Sequence, residues 1–334
     1  MLVLLASTAV AQENALSPLH DPCIIRGGDT YYVFCTGRGV PVRTSKDLVN
    51  WKRDGTVMDK LPAWVADVVP GANSFWAPDI IFANGEYRLY YSVSTFGVNQ
   101  SAIGLAVTKS LDRADPNYGW TDRGMVISST KADNFNAIDA AVMTDVDGRA
   151  WMALGSFWSG IKLIELDPAT GLRKADDRIR PIARRPEPPN AIEAPFLTRR
   201  GEWYYLWVSF DRCCQGTRST YNVRVGRSRS VEGPYVDRQG LPLIAGGGTP
   251  VLAGSGDIRG PGHNAVLQDG PNEYLVHHFY NATNNGRPTL QVRPLTYDAD
   301  GWPIAGGPIT PVPTGPGTQP ATQATSQPAT QASP

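Results

Sequence analysis

One pattern recurs five times along the chain and limits the folds that the chain can adopt. Each copy contains a polar residue, a short apolar run, a Gly-containing turn and a second apolar, mostly aromatic run. The copies are HDPCIIRGGDTYYVF (20–34), APDIIFANGEYRLYY (77–91), IDAAVMTDVDGRAWMA (138–153), IEAPFLTRRGEWYYLW (192–207) and GHNAVLQDGPNEYLVH (262–277). Two apolar runs joined by such a turn are typical of a β-hairpin.

A second element recurs between the hairpins. Its copies are RTSKDLVNW (43–51), AVTKSLDRA (106–114) and VGRSRSVEGPY (225–235). Each repeat therefore holds about four strands. A unit of this size cannot bury both of its faces alone, and the irregular spacing is unlike that of a solenoid. We predict an all-β fold, a five-bladed β-propeller.

The polar residues that lead the hairpins occupy similar positions in the five repeats. They are Asp21, Asp79, Asp139, Glu193 and His263, separated by about 54 to 70 residues. In a propeller the first strand of each blade lines the central channel, so we expect all five around one axial cavity. A single Asp at a strand entry is usually a cap. Four carboxylates in register would instead shift one another's pKa values, which indicates a functional site.

Charge and composition exclude several functional classes. The 334 residues include 31 basic and 31 acidic side chains, so no net field attracts nucleic acid or an anionic membrane. After the N-terminal segment, no stretch is apolar for long enough to cross a membrane. The high counts of Gly (34) and Pro (28) agree with an all-β chain. We expect a monomer without a nucleic-acid or membrane partner.

The two ends differ in composition from the rest of the chain. The segment MLVLLASTAVAQEN (1–14) combines a short apolar run with Ala9-Val10-Ala11, which predicts a secretory signal, although it lacks a basic start. Residues 313–334 repeat Pro, Thr, Gln and Ala and have nothing to bury, which predicts a disordered tail. The propeller is then expected over 15–312, in a secreted or periplasmic protein.

Four cysteines give a weak signal of export. A turn at Gly27-Gly28 would place Cys23 closer to Tyr32 than to Cys35, so the oxidation state of Cys23 and Cys35 stays open. Cys213 and Cys214 are adjacent, and a disulfide between neighbours is strained. No Cys-x-x-Cys pair indicates zinc or an iron–sulfur cluster.

Two carboxylates that face each other across a pocket can hydrolyse a glycosidic bond. Other chemistries have weaker signals. The stretch around Ser156, LGSFWSG, lacks the Gly-x-Ser-x-Gly elbow of serine hydrolases, and the Gly-rich stretches do not link a strand to a helix. The aromatic residues that could stack on sugars, or equally pack in the core, are Phe75, Trp76, Phe96 and Trp158.

Six stretches together resemble glycoside hydrolase family 43, in its α-1,5-L-arabinanase branch. They are HDP, FWAPDI, NAID, IEAPF, SFDRCCQGTRSTYNVRVGRS and GPGHN, and the resemblance runs from about Leu19 to Pro294. It implies a five-bladed propeller that cleaves α-1,5-L-arabinofuranosidic bonds in arabinan with inversion of configuration. We expect endo action.

The resemblance also implies roles for single residues. Asp21 corresponds to the general base, Glu193 to the general acid and Asp139 to the carboxylate that orients the acid and raises its pKa. An inverting enzyme needs its acid and base roughly 6.5–9.5 Å apart. His263 corresponds to a histidine that contacts a central calcium ion, otherwise bound largely by water. The residues that correspond to sugar contacts are Trp76, Phe96, Gly104, Asn136, Ala137, Ile138 and Ser156.

Alternatives remain within and outside this family. Endo and exo action differ in whether a loop closes one end of the cleft, which the sequence does not show. An exo-acting arabinanase, an arabinofuranosidase or a β-xylosidase is therefore an alternative, and so is a propeller that binds carbohydrate without cleaving it. The chain departs from the family at Ala140, where Pro is frequent, and at Asn281, where Asp is frequent.

Overall fold

The computed structural model describes residues 15–310, which form twenty strands in five four-stranded antiparallel sheets. Blade 1 contains β1 (Cys23–Gly27), β2 (Thr30–Phe34), β3 (Pro41–Ser45) and β4 (Trp51–Thr56). Blade 2 contains β5 (Trp76–Ala83), β6 (Glu86–Val93), β7 (Ser101–Thr108) and β8 (Thr121–Ser129). Blade 3 contains β9 (Ala141–Thr144), β10 (Ala150–Leu154), β11 (Ile161–Leu166) and β12 (Arg180–Ala183). Blade 4 contains β13 (Ile192–Arg200), β14 (Trp203–Phe210), β15 (Asn222–Ser228) and β16 (Thr249–Leu252). Blade 5 contains β17 (Ile258–Asp269), β18 (Asn272–Asn281), β19 (Arg287–Tyr297) and β20 (Pro303–Ala305).

Helical structure is confined to short segments between strands. Between the strands of the described chain, the α-helix α1 spans Val65–Val68, and 3₁₀ turns span Gly216–Arg218, Leu243–Ala245 and Ala282–Asn284. Within 15–310, no helix is long and apolar enough to cross a membrane.

The first strands of the sheets form a closed ring. β1 contacts β5, β5 contacts β9, β9 contacts β13, β13 contacts β17, and β17 contacts β1 again. Each sheet is built from four consecutive strands, and each first strand is the innermost of its sheet. The predicted five-bladed β-propeller is therefore confirmed.

The core is divided into five apolar clusters, one between each pair of neighbouring blades. The middle strands of a blade are buried on both faces, as in β7 and β10, whereas the outermost strand β4 is largely exposed. Phe34 of blade 1 and Leu89 of blade 2, for example, share one cluster. Each blade thus covers its neighbour, which explains why a single repeat does not suffice.

Both ends of the described chain pack into the seam between blades 5 and 1. The Leu19 N–H donates to the Pro288 carbonyl (2.9 Å), and the Ile309 N–H donates to the Val292 carbonyl (2.9 Å). Arg43 Nε donates to the Ala15 carbonyl (2.8 Å). These contacts stabilise the closure of the ring. The predicted signal segment 1–14 and the tail 313–334 lie outside the described residues.

The first hairpin corrects one sequence interpretation. Gly27 pairs with Thr30, so the turn is Gly28–Asp29 and Cys23 lies opposite Phe34. The expected turn at Gly27-Gly28 was one residue too early, because either pair of residues suits a tight turn. Cys23 and Cys35 are both buried free thiols.

Candidate active site

The five inner strands share one local bend near the propeller axis. At one residue in each blade φ lies between 39° and 60°, a region that non-glycine residues occupy only where their surroundings hold them. These residues are Asp21, Ala77, Asp139, Ala194 and His263. Each bent residue donates its N–H to a side chain of the preceding blade, with blade 5 preceding blade 1. The acceptors are His278 Nδ1 (3.1 Å), Thr36 Oγ1 (2.8 Å), Ser92 Oγ (3.0 Å), Asp139 Oδ2 (3.0 Å) and Ser209 Oγ (2.9 Å).

The positions of these five bends show which of the polar residues that lead the hairpins are structurally equivalent. Asp21, Asp139 and His263 occupy equivalent positions, but Glu193 lies one residue before its bend and Asp79 lies two residues after. Asp79 is buried and its Oδ2 accepts the Val142 N–H (2.6 Å), while burial raises its pKa to about 7. It does not line the axial cavity. The expectation of five polar residues around the cavity was wrong for this one.

The axial cavity has a volume of about 640 Å³ and is lined by carboxylates at its base and aromatic rings at its rim. Its carboxylates are Asp21, Asp139 and Glu193. Of the other predicted site residues, the cavity is lined by Trp76, Phe96, Asn136, Ile138, Ser156 and His263.

Two predicted sugar contacts lie elsewhere. Gly104 is buried inside β7, where a Cβ atom would clash with the Tyr91 ring, so its glycine serves packing within blade 2. Ala137 is fully buried, and its N–H donates to Ser129 Oγ (2.9 Å). Neither residue lines the cavity, in contrast to the neighbours of Ala137 on both sides.

Asp21 is surrounded by hydrogen-bond donors. Its Oδ1 accepts from His20 Nδ1 (2.8 Å) and lies 3.1 Å from His263 Nδ1, and its Oδ2 accepts from Thr36 Oγ1 (2.5 Å). Burial alone would raise the pKa of Asp21, but the surrounding histidine rings outweigh burial and hold this pKa far below its usual range. Asp21 is therefore ionised, as a general base must be.

Glu193 has few donors. Its Oε2 accepts from Ser156 Oγ (2.6 Å). Burial raises the pKa of Glu193, and hydrogen bonds from the hydroxyls of Ser156 and Tyr221 only partly oppose this. The raised pKa suits a general acid, which must carry a proton near neutral pH.

Asp139 contacts the acid through the backbone. Its Oδ2 accepts the N–H of Ala194, the residue that follows Glu193, at a register irregularity of β13. Burial, and next the Glu193 carboxylate, raise the pKa of Asp139. Two buried carboxylates that repel each other favour a state in which the pair retains one proton. Asp139 thus contacts the backbone that carries Glu193, where it can orient that side chain.

The histidines near Asp21 differ in how they could serve a metal ion. His20, Asp21 and His278 present ligand-type atoms within 4.8 Å of one another, but hydrogen bonds within the protein occupy these atoms. His263 Nδ1 faces Asp21, and its Nε2 makes no hydrogen bond with another residue of 15–310. Calcium prefers oxygen ligands. These residues therefore fit calcium only as a largely hydrated ion, held by one histidine nitrogen in a cavity lined by carboxylates.

Sequence reasoning missed several residues that complete this site. Cys213 and Cys214 form a disulfide, and both line the cavity. His20, Thr36 and Tyr280 form the hydrogen-bonded surroundings of Asp21. The HDP and CC motifs contain part of this information. Thr36 follows β2 and lies beside Asp21 within blade 1, as the β1–β2 register dictates, whereas Tyr280 reaches the site from blade 5 only through the ring closure.

Comparison with known proteins agrees with this geometry. A family model for the glycosyl hydrolases of family 43 matches residues 16–303. The extracellular endo-α-(1→5)-L-arabinanase 1 of Bacillus subtilis (strain 168) is 44% identical over 291 residues, covering 85% of this chain and 87% of that relative. The crystal structure of an exo-1,5-α-L-arabinanase from a bovine ruminal metagenomic library matches with TM-score 0.84 and 43% identity, covering 89% of this chain and 99% of that chain. The Cellvibrio cellulosa α-L-arabinanase complexed with arabinohexaose matches with TM-score 0.84 and 39% identity, covering 87% and 96%.

Proposed function

The chain belongs to glycosyl hydrolase family 43, and from this premise we propose that it cleaves α-1,5-L-arabinofuranosidic bonds in arabinan by single displacement. One observation carries the mechanism: two carboxylates line one cavity, and their pKa values shift in opposite directions. Such a pair provides the base and the acid that an inverting glycosidase needs at the same pH.

Each residue has a defined part in the proposed reaction. The ionised Asp21 accepts a proton from a water molecule as the water oxygen bonds to the anomeric carbon. Glu193 donates its proton to the glycosidic oxygen as the bond from that oxygen to the anomeric carbon breaks. Asp139 holds Glu193 in place through the Ala194 N–H. Trp76 and Phe96 at the rim supply apolar faces for the sugar rings.

Stereochemistry tests the roles of the two carboxylates. Single displacement inverts the anomeric centre, so the first arabinose end to form should have the opposite configuration to the bond that was cleaved. Proton NMR of the product in the first minutes, before mutarotation, measures this. Retention of configuration would contradict the assignment of Asp21 as base.

We propose endo action, which the similarity to the Bacillus subtilis endo-arabinanase supports. Exo action is the second candidate, because a structure named as an exo-arabinanase is similar to a comparable degree. Chromatography of the products from debranched arabinan separates the two. Endo action yields a ladder of oligosaccharides at early times, whereas exo action releases one short product from the start.

We also propose a calcium ion beside His263, supported by the carboxylates of the cavity and the free Nε2. When bound, the ion would offset the repulsion among these carboxylates. Elemental analysis of the purified protein should find about one calcium per chain, and His263→Ala should lose it. A native protein without calcium after dialysis against a calcium buffer would contradict the proposal.

Export is the proposed location. The Bacillus subtilis relative is named as extracellular, and residues 1–14 resemble a signal. Expression of the full chain in a bacterial host should place arabinanase activity outside the cytoplasm, in a form whose mass lacks the leader. Cytoplasmic retention of the uncleaved chain would contradict this.

A further inference from the structure

A chain of hydrogen bonds runs behind Asp21, away from the cavity. His20 bonds to Asp21 Oδ1 through Nδ1 (2.8 Å) and to the Tyr280 hydroxyl through Nε2 (2.7 Å). The N–H of Cys214, in the turn closed by the Cys213–Cys214 disulfide, donates to the same hydroxyl (2.7 Å). The side chain of Tyr280 is buried, and Tyr280 does not line the cavity. This chain links the disulfide turn to the carboxylate assigned as the base.

The donors in this chain of hydrogen bonds determine which atom carries the proton in each bond. His278 Nδ1 accepts the Asp21 N–H (3.1 Å), so a neutral His278 carries its proton on Nε2, which faces the Tyr280 hydroxyl (3.3 Å). The Tyr280 oxygen therefore receives one N–H from Cys214 and one from His278. A tyrosine oxygen has no further acceptor site once two donors occupy it, so its own proton must be donated.

The nearest acceptor for that proton is His20 Nε2. Of the other neighbours, Cys214 Sγ lies 3.8 Å away and is a weak acceptor, and the Ser219 hydroxyl acts as a donor, because its hydrogen bond lowers the pKa of Tyr280. When His20 Nε2 accepts a proton, the neutral ring carries its own proton on Nδ1, which faces Asp21 Oδ1. The chain thus delivers a donor to one defined oxygen of Asp21, while Thr36 donates to the other oxygen.

We propose that Tyr280, held by the disulfide turn at Cys214, is a positioning residue for the base and acts by fixing the tautomer and orientation of His20. The role of Asp21 in this statement depends on the proposed function, whereas the tautomer of His20 does not. Tyr280 contacts neither substrate nor reacting atoms. The Cys213–Cys214 turn then has a purpose beyond the cavity wall, because it keeps the Cys214 N–H directed at the hydroxyl.

The tautomer is measured without substrate. The chain has four histidines, so ¹⁵N-histidine labelling and long-range NMR correlation resolve each ring, with His20→Asn assigning the signal of His20. Burial lowers the pKa of His20 but the Asp21 carboxylate raises it by more, so the spectra are recorded at a pH at which the His20 ring is neutral. There we expect His20 to carry its proton on Nδ1 with Nε2 as acceptor, and Tyr280→Phe to make the two tautomers comparable in population. A native His20 with its proton on Nε2 would overturn the proposal, whether or not Tyr280→Phe folds. So would an unchanged tautomer in a folded Tyr280→Phe variant.

Kinetics then test the coupling to the base. Tyr280→Phe should lower kcat about 10- to 100-fold, the usual effect of losing an outer partner of an active-site group, with KM nearly unchanged. Tyr90→Phe is the matched control: it removes another buried hydroxyl, on blade 2, which donates to the Gly171 carbonyl of blade 3, and should leave kcat within about twofold.

A double-mutant cycle separates positioning from a general loss of structure. His20→Asn keeps an N–H donor close to the site of Nδ1 but cannot reach Tyr280. Adding Tyr280→Phe to His20→Asn should therefore lower kcat no further, whereas adding Tyr90→Phe gives independent effects. Additive losses for Tyr280→Phe and His20→Asn would overturn the proposal. An inactive native protein on arabinan would instead count against the proposed function and leave the NMR result in force.

Discussion

Asp21 and Glu193 line the same cavity, and their immediate surroundings differ in the number of hydrogen-bond donors. The Asp21 carboxylate faces Nδ1 of His20, Nδ1 of His263 and the Thr36 hydroxyl, whereas Glu193 accepts hydrogen bonds from the hydroxyls of Ser156 and Tyr221. Burial acts in the same direction on both carboxylates and raises both pKa values. The donors decide the outcome: the pKa of Asp21 falls and that of Glu193 remains raised.

The comparison shows how a symmetric fold produces two different carboxylates. The same bend occurs in all five blades, and the residue that meets it from the preceding blade varies. Blade 5 presents His278 to Asp21, whereas blade 3 presents the carboxylate of Asp139 to the backbone beside Glu193. One pairing places a neutral imidazole beside Asp21, and the other places a second carboxylate beside Glu193. The different surroundings of the two carboxylates thus follow from which side chain fills one repeated position.

The largest expected effect is a loss of activity that depends on the leaving group of the substrate for Glu193 and not for Asp21. Glu193→Gln keeps the shape of the side chain and removes its proton, so activity on arabinan should fall about 10²–10⁴-fold or more. An aryl arabinoside whose leaving group needs little protonation should be cleaved by this variant with a much smaller loss. Asp21→Asn removes the base and should lower kcat on both substrates alike.

The two variants serve as controls for each other, because each replaces one cavity carboxylate by its amide. Initial rates on both substrates, with circular dichroism to verify folding, complete the test. Equal losses on the two substrates for Glu193→Gln would show that Glu193 is not the acid.

Replacement of Asp21 and replacement of Glu193 by the amides should change the stability of the fold in opposite directions. Asp21 has a lowered pKa in the folded state, so its charge stabilises the fold at any pH above the unfolded carboxylate value, and Asp21→Asn should lower the melting temperature at pH 7. Glu193 has a raised pKa, so its ionisation at high pH costs stability, and Glu193→Gln should raise the melting temperature. We expect the free energy of unfolding to change by about 1–3 kcal/mol in each variant, the usual range for a buried hydrogen-bonded group. A decrease in both variants would contradict the contrast.

Removal of the Ser156 hydroxyl should have a smaller effect on kcat, through the pKa of Glu193. This hydroxyl donates to Glu193 and thereby favours the charged form, so Ser156→Ala should raise the pKa of Glu193 further. The basic limb of the kcat profile should move to higher pH, and kcat near neutral pH should fall roughly 2- to 10-fold, the equivalent of one lost hydrogen bond. Ser228→Ala, which removes a buried hydroxyl of blade 4 that accepts the Ser230 N–H outside the cavity, is the matched control and should leave the limb in place. A limb that moves to lower pH would contradict the role of Ser156.

Local patterns were sufficient to predict the fold. Turn chemistry and two apolar runs define each hairpin, and these signals do not depend on the rest of the chain. They also located Asp21, Asp139 and His263, which sit at the bend of their repeats. The bend itself has no residue signature, because Ala77 and Ala194 adopt it as well as Asp does. An alignment based on residue type therefore displaced Asp79 by two positions and Glu193 by one position.

The surroundings of the site depend on contacts between distant segments. Tyr280 and His278 come from the second strand of blade 5, and they meet His20 and Asp21 only when the ring closes, whereas Thr36 meets Asp21 within the first hairpin. Tyr280 is 260 residues from His20. Gly104 shows a packing constraint that the family pattern does not express, because its lack of a side chain makes room for the Tyr91 ring.

Asp79 provides the smallest expected effect on catalysis and the sharpest test of the corrected alignment. Its Oδ2 accepts the Val142 N–H, and Asn can accept the same bond, so Asp79→Asn should leave kcat on arabinan within about twofold. Burial raises the pKa of Asp79 to about 7, so the native fold loses stability as pH rises from the unfolded carboxylate value, about 4, through 7. Asp79→Asn removes this loss and should therefore melt at a higher temperature than the native protein at pH 8, with a much smaller difference at pH 4. A loss of kcat as large as that of Asp139→Asn would mean that Asp79 belongs to the reacting carboxylates after all.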